Sequence, residues 1–194
     1  MSASNAHEAP YDLLVLDTET TGLSNADEIV ELAVLRVHFD SRRSTLVTVR
    51  EYHGFREPTC PMNPVAASVH GLSARDLAGK DIDASQVLRL FDGAHGVIAH
   101  NASFDRRFVS RLLPGTETLD WYCTQRSINW TDRGVISRRL DDVLDAHGII
   151  RPRSHRAIDD VRALAALLAA RDASTNQPYI REVIDAGPVG SSVM

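Results

Sequence analysis

The stretch that decides the fold is LVLDTETTGL, residues 14–23. Its apolar run, within YDLLVLDTE (11–19), predicts a strand buried on both faces. Side chains two positions apart on a strand share a face. Asp17 and Glu19 therefore stand side by side next to a core. Like charges at that separation repel, and burial adds to the cost. A divalent cation would offset both, provided that other segments supply the remaining ligands.

Around this strand the pattern is regular. EIVELAVLRVH (28–38) predicts a second strand, with Ile29, Glu31, Ala33, Leu35 and Val37 on one face, and STLVTVREY (44–52) a third. The short polar connections between them predict an antiparallel meander. FREPTCPMNP (55–64) breaks regular structure, and VAASVHG and SARDLAG follow as short helical pieces, Ser73 acting as an N-cap. DASQVLRLFDGA (83–94) is an amphipathic helix, GVIAHN (96–101) a short buried strand, SFDRRFVSRLLPG (103–115) a helix and TLDWYCT (118–124) a strand. SRRLDDVLDAHGI (137–149) and IDDVRALAALLAARD (158–172) are helices, and YIREVIDAG adds a short one. A meander followed by alternating strands and helices predicts an α/β fold, a mixed sheet flanked by helices.

The 194 residues, 43% hydrophobic and 24% charged, suit one folded domain. The expected division is a loose leader over 1–10, a domain over 11–173 and a partly mobile extension over 174–194. No apolar run approaches the ~20 residues that span a bilayer, so no membrane partner is expected. MSASNAHEAP lacks the basic and apolar regions of a secretory signal. Cys60 and Cys123, far apart and without metal-type spacing, read as the reduced thiols of a cytoplasmic protein. A net charge of −5 argues against broad, charge-driven binding of duplex nucleic acid. It leaves room for an enzyme that grips a strand end through metal ions and places its positive charge locally.

Two further segments carry acids. In HNASFD (100–105), Asn101 to Ser103 can cap the helix, and Asp105 falls in its first turn. An acid there is also favoured by the helix dipole alone. In HRAIDD (155–160), His155 and Asp160 are about 140° apart on a helix. They converge only if His155 lies in the preceding loop, which Pro152 favours. Asp160 borders the apolar stripe of Ile158, Val161 and Leu164 and needs a partner, while Asp159 is expected to point outward. In VHGLSARDL (69–77), Ser73 and Asp76 read as a turn and a capped helix. Together the acids and the histidine are equipment for two divalent cations about 3.5–4 Å apart. Carboxylates suit Mg²⁺ or Mn²⁺ better than zinc.

LDTETTGL, HNASFD and HRAIDD, in that order, resemble the three exonuclease motifs of the DEDD superfamily. The His-x-Ala-x-x-Asp form of the third resembles the histidine-containing subgroup. That subgroup includes the proofreading subunit of bacterial DNA polymerase III, RNase T and oligoribonuclease. PVAASVHGLSARDL is similar to the segment between the first two motifs in proofreading-type members, and the likeness runs from about Tyr11 to Arg171. It implies an RNase H-like fold, here with five strands, and metal-dependent 3′→5′ hydrolysis of nucleic acid that releases nucleoside monophosphates. Asp17, Glu19, Asp105 and Asp160 fall on the four acidic metal positions, holding two Mg²⁺ or Mn²⁺, and His155 falls on the general-base position. Thr18, Thr20, Gly22 and Leu23 would lie against the terminal nucleotide. Leu23 and Phe104 are candidate apolar contacts for the last base, and His70 and Asn101 candidate polar ones.

LDWYCTQRSINW follows the family pattern only loosely. Trp121, Tyr122 and Trp130 are either stacking platforms for bases or core, with core favoured for Trp121. The expected substrate is a single-stranded DNA 3′ end. RNA ends, as for RNase T or oligoribonuclease, are the alternative. A polymerase accessory acting mainly by binding is the alternative from another class, with a DNA polymerase subunit as its partner.

Overall fold

The computed structural model describes residues 10–190. The leader expected over 1–10, apart from Pro10, lies outside the described residues, as do the last four. The first three strands, β1 (Tyr11–Thr20), β2 (Ile29–Asp40) and β3 (Thr45–Phe55), form the antiparallel meander, and β4 (Gly96–Ala99) and β5 (Trp121–Cys123) complete the sheet. The order is β3-β2-β1-β4-β5, with β4 parallel to both β1 and β5. β1 is thus the middle strand, which is why Leu13 to Leu16 are all buried.

Eight helices follow among the described residues: α1 (Pro64–His70), α2 (Ala74–Leu77), α3 (Ala84–Phe91), α4 (Ala102–Leu112), α5 (Thr124–Ser127), α6 (Leu140–Ala146), α7 (Ala157–Ala169) and α8 (Tyr179–Asp185). The alternation along β1 sorts them into two layers. Leu13 and Val15 face a core with Val161, Leu164 and Leu168 of α7 and with α8. Leu14 and Leu16 face a second core with Val87 of α3 and Phe108 of α4. Gly96 is required where β4 starts, because a Cβ there would lie 2.7 Å from the Tyr122 ring.

Some boundaries differ from the sequence expectation. The helix expected over 137–149 begins only at Leu140, because the Arg138 carbonyl accepts a hydrogen bond from His100 Nε2 at 2.8 Å instead of from a helical N–H. The strand expected over 118–124 shortens to three residues, Trp121–Cys123, after a 3₁₀ turn at Thr116–Thr118. Trp121 and Trp130 are both core, at 1% and 0% exposure. The Trp130 indole donates to the Thr124 carbonyl at 3.0 Å and packs on His147 and Tyr179, so no face is left for a base. Ser73 does cap α2, in a reciprocal box with Asp76. The segment beyond Ser174 joins the first core through Tyr179, Ile180 and Val183. No described helix is long and apolar enough to cross a membrane.

Candidate active site

Parallel strands gather functional groups at their carboxyl ends, and β1 and β4 do so here. Asp17 and Glu19 lie near the end of β1. The chain leaving β4 turns at Asn101 into α4, whose first turn brings Asp105 beside β1. The Thr18 hydroxyl donates to Asp105 Oδ1 at 2.8 Å and fixes that carboxylate. α7 packs against β1 and carries Asp160 in its first turn. These groups line a cleft of about 260 Å³, together with Thr18, Asn101, Phe104 and His155.

His155 lies in the loop before α7, with φ at +56°. A left-handed residue there turns the chain back on the helix start. His155, Glu19 and Asp160 then each offer a ligand atom within 4.8 Å of the others. Arg156, the next residue, turns the opposite way. Its guanidinium donates to both oxygens of Glu31 at 2.9 and 3.2 Å. Glu31 is fully buried, pairs with Glu19 across β1 and β2, and also contacts His53 Nε2 at 2.7 Å. The His155 loop is thereby tied to the sheet. Burial raises the Glu31 pKa, but the hydrogen bonds of His53 and Arg156 outweigh it and hold the carboxyl below its ordinary value. Glu31→Ala leaves the half-buried Arg156 charge without a partner, and a loss of roughly 3 kcal/mol is expected. Glu31→Gln, which keeps an acceptor, should retain part of that. Thermal melts check both, and an unchanged Tm for Glu31→Ala would show the clamp to be dispensable.

In the acids of the cleft, burial outweighs whatever relief they have. Burial first, then the charges of Asp105, Asp160, Glu19 and Glu31, hold Asp17 well above the usual carboxylate range. Glu19 is pushed up to about 8 by burial and then by Asp160, Glu31 and Asp105. Burial raises Asp105 to about 7 against the Thr18 hydrogen bond. Burial raises Asp160 to about 6 even though Arg151 donates to it at 2.5 Å. His155 moves the other way: burial, then Arg151 and Arg139, lower its pKa, so the imidazole is neutral at neutral pH. Crowded, buried carboxylate oxygens are a donor set for a hard divalent cation.

The sequence-derived contacts fall into two groups. Thr18, Asn101 and Phe104 line the cleft with the acids. Asn101 caps α4 by its backbone only, its side chain making no capping bond, contrary to the sequence expectation. Thr20, Gly22, Leu23 and His70 lie outside that lining. The Thr20 hydroxyl donates to the Gly22 carbonyl at 2.7 Å. Gly22 is needed because a Cβ would sit 2.7 Å from the Asp27 carboxylate. Leu23 is 77% exposed on the following loop. His70 Nδ1 accepts from the Leu72 N–H at 3.0 Å, and the Thr20 backbone lies against the buried imidazole. Asp159 does not point outward: it is buried and ion-paired with Arg153 at 3.0 Å, because the loop before α7 folds back over the helix start.

Sequence reasoning missed Arg151, Asp141 and His100. Arg151 bridges Asp160 and Asp141, and Asp141 stands 4.0 Å from His155 Nε2. RPRS (151–154) read only as a loop, and Asp141 only as one acid among several in a helix, so neither carried a signal.

Residues 14–168 match the RNase_T family model, described as "Exonuclease". The chain belongs to that family, and its mixed sheet with flanking helices is the RNase H-like sheet of solved exonucleases. DNA polymerase III PolC-type of Thermotoga maritima is 31% identical over 159 residues, 78% of this chain but 11% of that protein. Exodeoxyribonuclease 10 of Escherichia coli K12 is 30% identical over 163 residues, 80% of this chain and 66% of that one. The chain thus spans a small part of the polymerase and about two thirds of the nuclease. Exonuclease X in complex with 5′ overhanging duplex DNA is 29% identical, with a TM-score of 0.63, over 81% of this chain and 89% of that one. E. coli exonuclease I in complex with a dT13 oligonucleotide, 20% identical with a TM-score of 0.66 over 89% and 43% of the two chains, shares the fold. The relatives agree with the DEDD-type 3′–5′ exonuclease resemblance of the three motifs.

Proposed function

We propose that this chain is a metal-dependent 3′→5′ exonuclease of the histidine-containing DEDD subgroup, acting on single-stranded DNA ends. The observation that carries this reading is the convergence of a neutral His155 on Glu19 and Asp160, in one cleft with Asp17 and Asp105. Asp17, Glu19, Asp105 and Asp160 would hold two Mg²⁺ or Mn²⁺, which when bound supply countercharge and Lewis acidity at the phosphate. His155 accepts the proton of the attacking water. A new P–O bond forms from that water, the P–O3′ bond breaks, and the terminal nucleotide leaves with a 5′-phosphate. Asp141, 4.0 Å from Nε2, then faces the imidazolium. The Thr18 hydrogen bond holds Asp105 in place through the cycle.

Phe104 packs against the last base and the Asn101 amide, free of capping duty, hydrogen-bonds to the terminal nucleotide. Thr20, Gly22 and Leu23 shape the loop on its other side, and His70 is placed behind that loop as a further polar contact. DNA is preferred to RNA because the relatives at about 30% identity carry DNA enzymes' names. A DNA polymerase subunit is the proposed protein partner on the same likeness, and the proposed compartment is the cytoplasm.

Matched DNA and RNA oligonucleotides, labelled at either end, test the reading in Mn²⁺ and in EDTA. The expected result is Mn²⁺-dependent shortening from the 3′ end, faster on DNA. Intact 3′ ends in Mn²⁺ overturn it, and faster loss from RNA turns it into the exoribonuclease alternative.

A further inference from the structure

A second pocket, of about 460 Å³, lies on the outer side of α4. Its lining includes Ser103, Arg106, Arg107, Ser110 and Arg126, and no acidic side chain. On a chain of net charge −5 that is a local reversal of sign. Many of the other arginines meet carboxylates, as Arg36 meets Asp12, Arg133 meets Asp172 and Arg162 meets Glu51. Here they do not. Arg106 donates to the Glu117 carbonyl at 2.8 Å, and Arg107 to the Leu23 carbonyl and the Asn25 amide oxygen at 3.0 and 3.2 Å. Neutral acceptors orient a guanidinium without cancelling its charge. Arg126 is exposed and makes no ion pair or hydrogen bond among the described residues. A further polar atom, Ser110 Oγ, is buried at this pocket without a partner.

The pocket adjoins the catalytic cleft. Phe104 lines the cleft while its neighbour Ser103 lines the pocket, and Gln125 and Arg126 are divided in the same way. The Gln125 N–H is fixed to the His100 carbonyl at 3.1 Å, which holds the start of α5 against the start of α4. A strand whose 3′ end sits among the acids can cross this ridge only by placing its backbone against the arginines. Guanidinium forks match phosphate oxygens, and a cleft lined by one sign of charge concentrates its counter-ion.

We propose that Ser103, Arg106, Arg107 and Arg126 form a phosphate subsite for the substrate strand upstream of its 3′ end. The subsite rests on the exonuclease reading above and gives it a length dependence. A dinucleotide fills the cleft alone, whereas a longer strand also fills the pocket.

The test compares the full chain with R106Q/R126Q and R106K/R126K, sparing Arg107 because it also holds the β1–β2 loop. Binding of fluorescein-labelled dT15 is followed by anisotropy in Ca²⁺ over a salt series, and turnover of dT2 and dT15 is measured in Mn²⁺. The glutamine variant should bind dT15 about tenfold more weakly at low salt, with its log K versus log [salt] slope reduced by about 1.4, that is, about 0.7 for each lost contact. Its kcat/KM on dT2 should stay at the wild-type value, and the lysine variant should keep the wild-type salt slope. Unchanged dT15 affinity and slope in the glutamine variant overturn the subsite, as does an equal loss on dT2 and dT15. So does unchanged dT15 binding combined with lost binding of poly-glutamate, which makes the pocket a docking point for an acidic protein segment. A wild-type chain that hydrolyses neither oligonucleotide defeats the exonuclease reading instead, and the anisotropy series still decides the subsite.

Discussion

His155→Asn lowers kcat on a single-stranded oligonucleotide by about 10³-fold, the usual range for losing a general base. Asparagine is the informative replacement. It tolerates the left-handed backbone that His155 adopts, whereas alanine adds strain of about 1 kcal/mol. The His155 side chain is 42% exposed and its ion-pair contact with Asp141 is loose, at 4.0 Å, so Tm should move little. A normal KM, a normal Tm and a collapsed kcat are the expected set. Retained kcat in His155→Asn would falsify the general-base role. The wild-type pH profile adds a second check. A base works when unprotonated, and burial with the Arg151 and Arg139 charges lowers the His155 pKa. At saturating Mn²⁺, activity should therefore persist to lower pH than an ordinary histidine with a pKa near 6.5 allows. Arg151→Met, which removes one of those charges, should move the acid limb upward.

Asp17→Asn is expected to remove turnover and to stabilise the protein in EDTA. Both effects come from one charge. Glu19, Asp105 and Asp160, at about 8, 7 and 6, and Asp17 all lie above the ordinary carboxylate values. The folded state then binds more protons than the unfolded one between roughly pH 4 and pH 8. In EDTA, stability is highest at the acidic end of that window and falls as pH rises through it. Each kcal/mol lost as pH rises toward 8 lowers Tm by roughly 2–4 °C for a chain of this size, so the fall is readily measured. Mn²⁺, which favours the ionised carboxylates, should flatten or reverse the slope. Asp17→Asn should raise Tm in EDTA at pH 8 and leave little for Mn²⁺ to stabilise. Melts at pH 5, 6.5 and 8, with EDTA or Mn²⁺, measure all of this. A Tm in EDTA that rises from pH 5 to pH 8 would contradict the crowding of the acids.

The sheet was legible because its strands announce themselves in two ways. Leu13 to Leu16 form a continuous apolar run, as a central strand must, and β2 and β3 follow at hairpin distance. The acids were legible because the i, i+2 spacing on β1 and the loop-helix spacing of HRAIDD each left a geometric demand. What the sequence hid were long-range polar contacts. Nothing local says that the Arg138 carbonyl would bond to His100 and shorten α6, or that Arg156 would reach Glu31, 125 positions away. Trp130 was ambiguous for the same reason. Its indole N–H partner, the Thr124 carbonyl, becomes available only once α5 is built. Asp159 was misplaced because helical phase puts it outside, while Arg153 folds over it from the loop.

β1 lies between β2 and β4 and beneath α7, and this has a consequence for the newly made chain. The meander of β1, β2 and β3 is complete by residue 55 and can pair as soon as it is synthesised. Asp17 and Glu19 are then present but face nothing. Asp105 arrives with α4, and His155 and Asp160 only with the loop before α7 and α7 itself, so the proposed centre closes long after the meander that carries Asp17 and Glu19. A chain stalled before the loop that leads into α7 would lack His155, the proposed base. The wiring of the sheet thus makes the proposed centre depend on α7, the last segment to contribute to it.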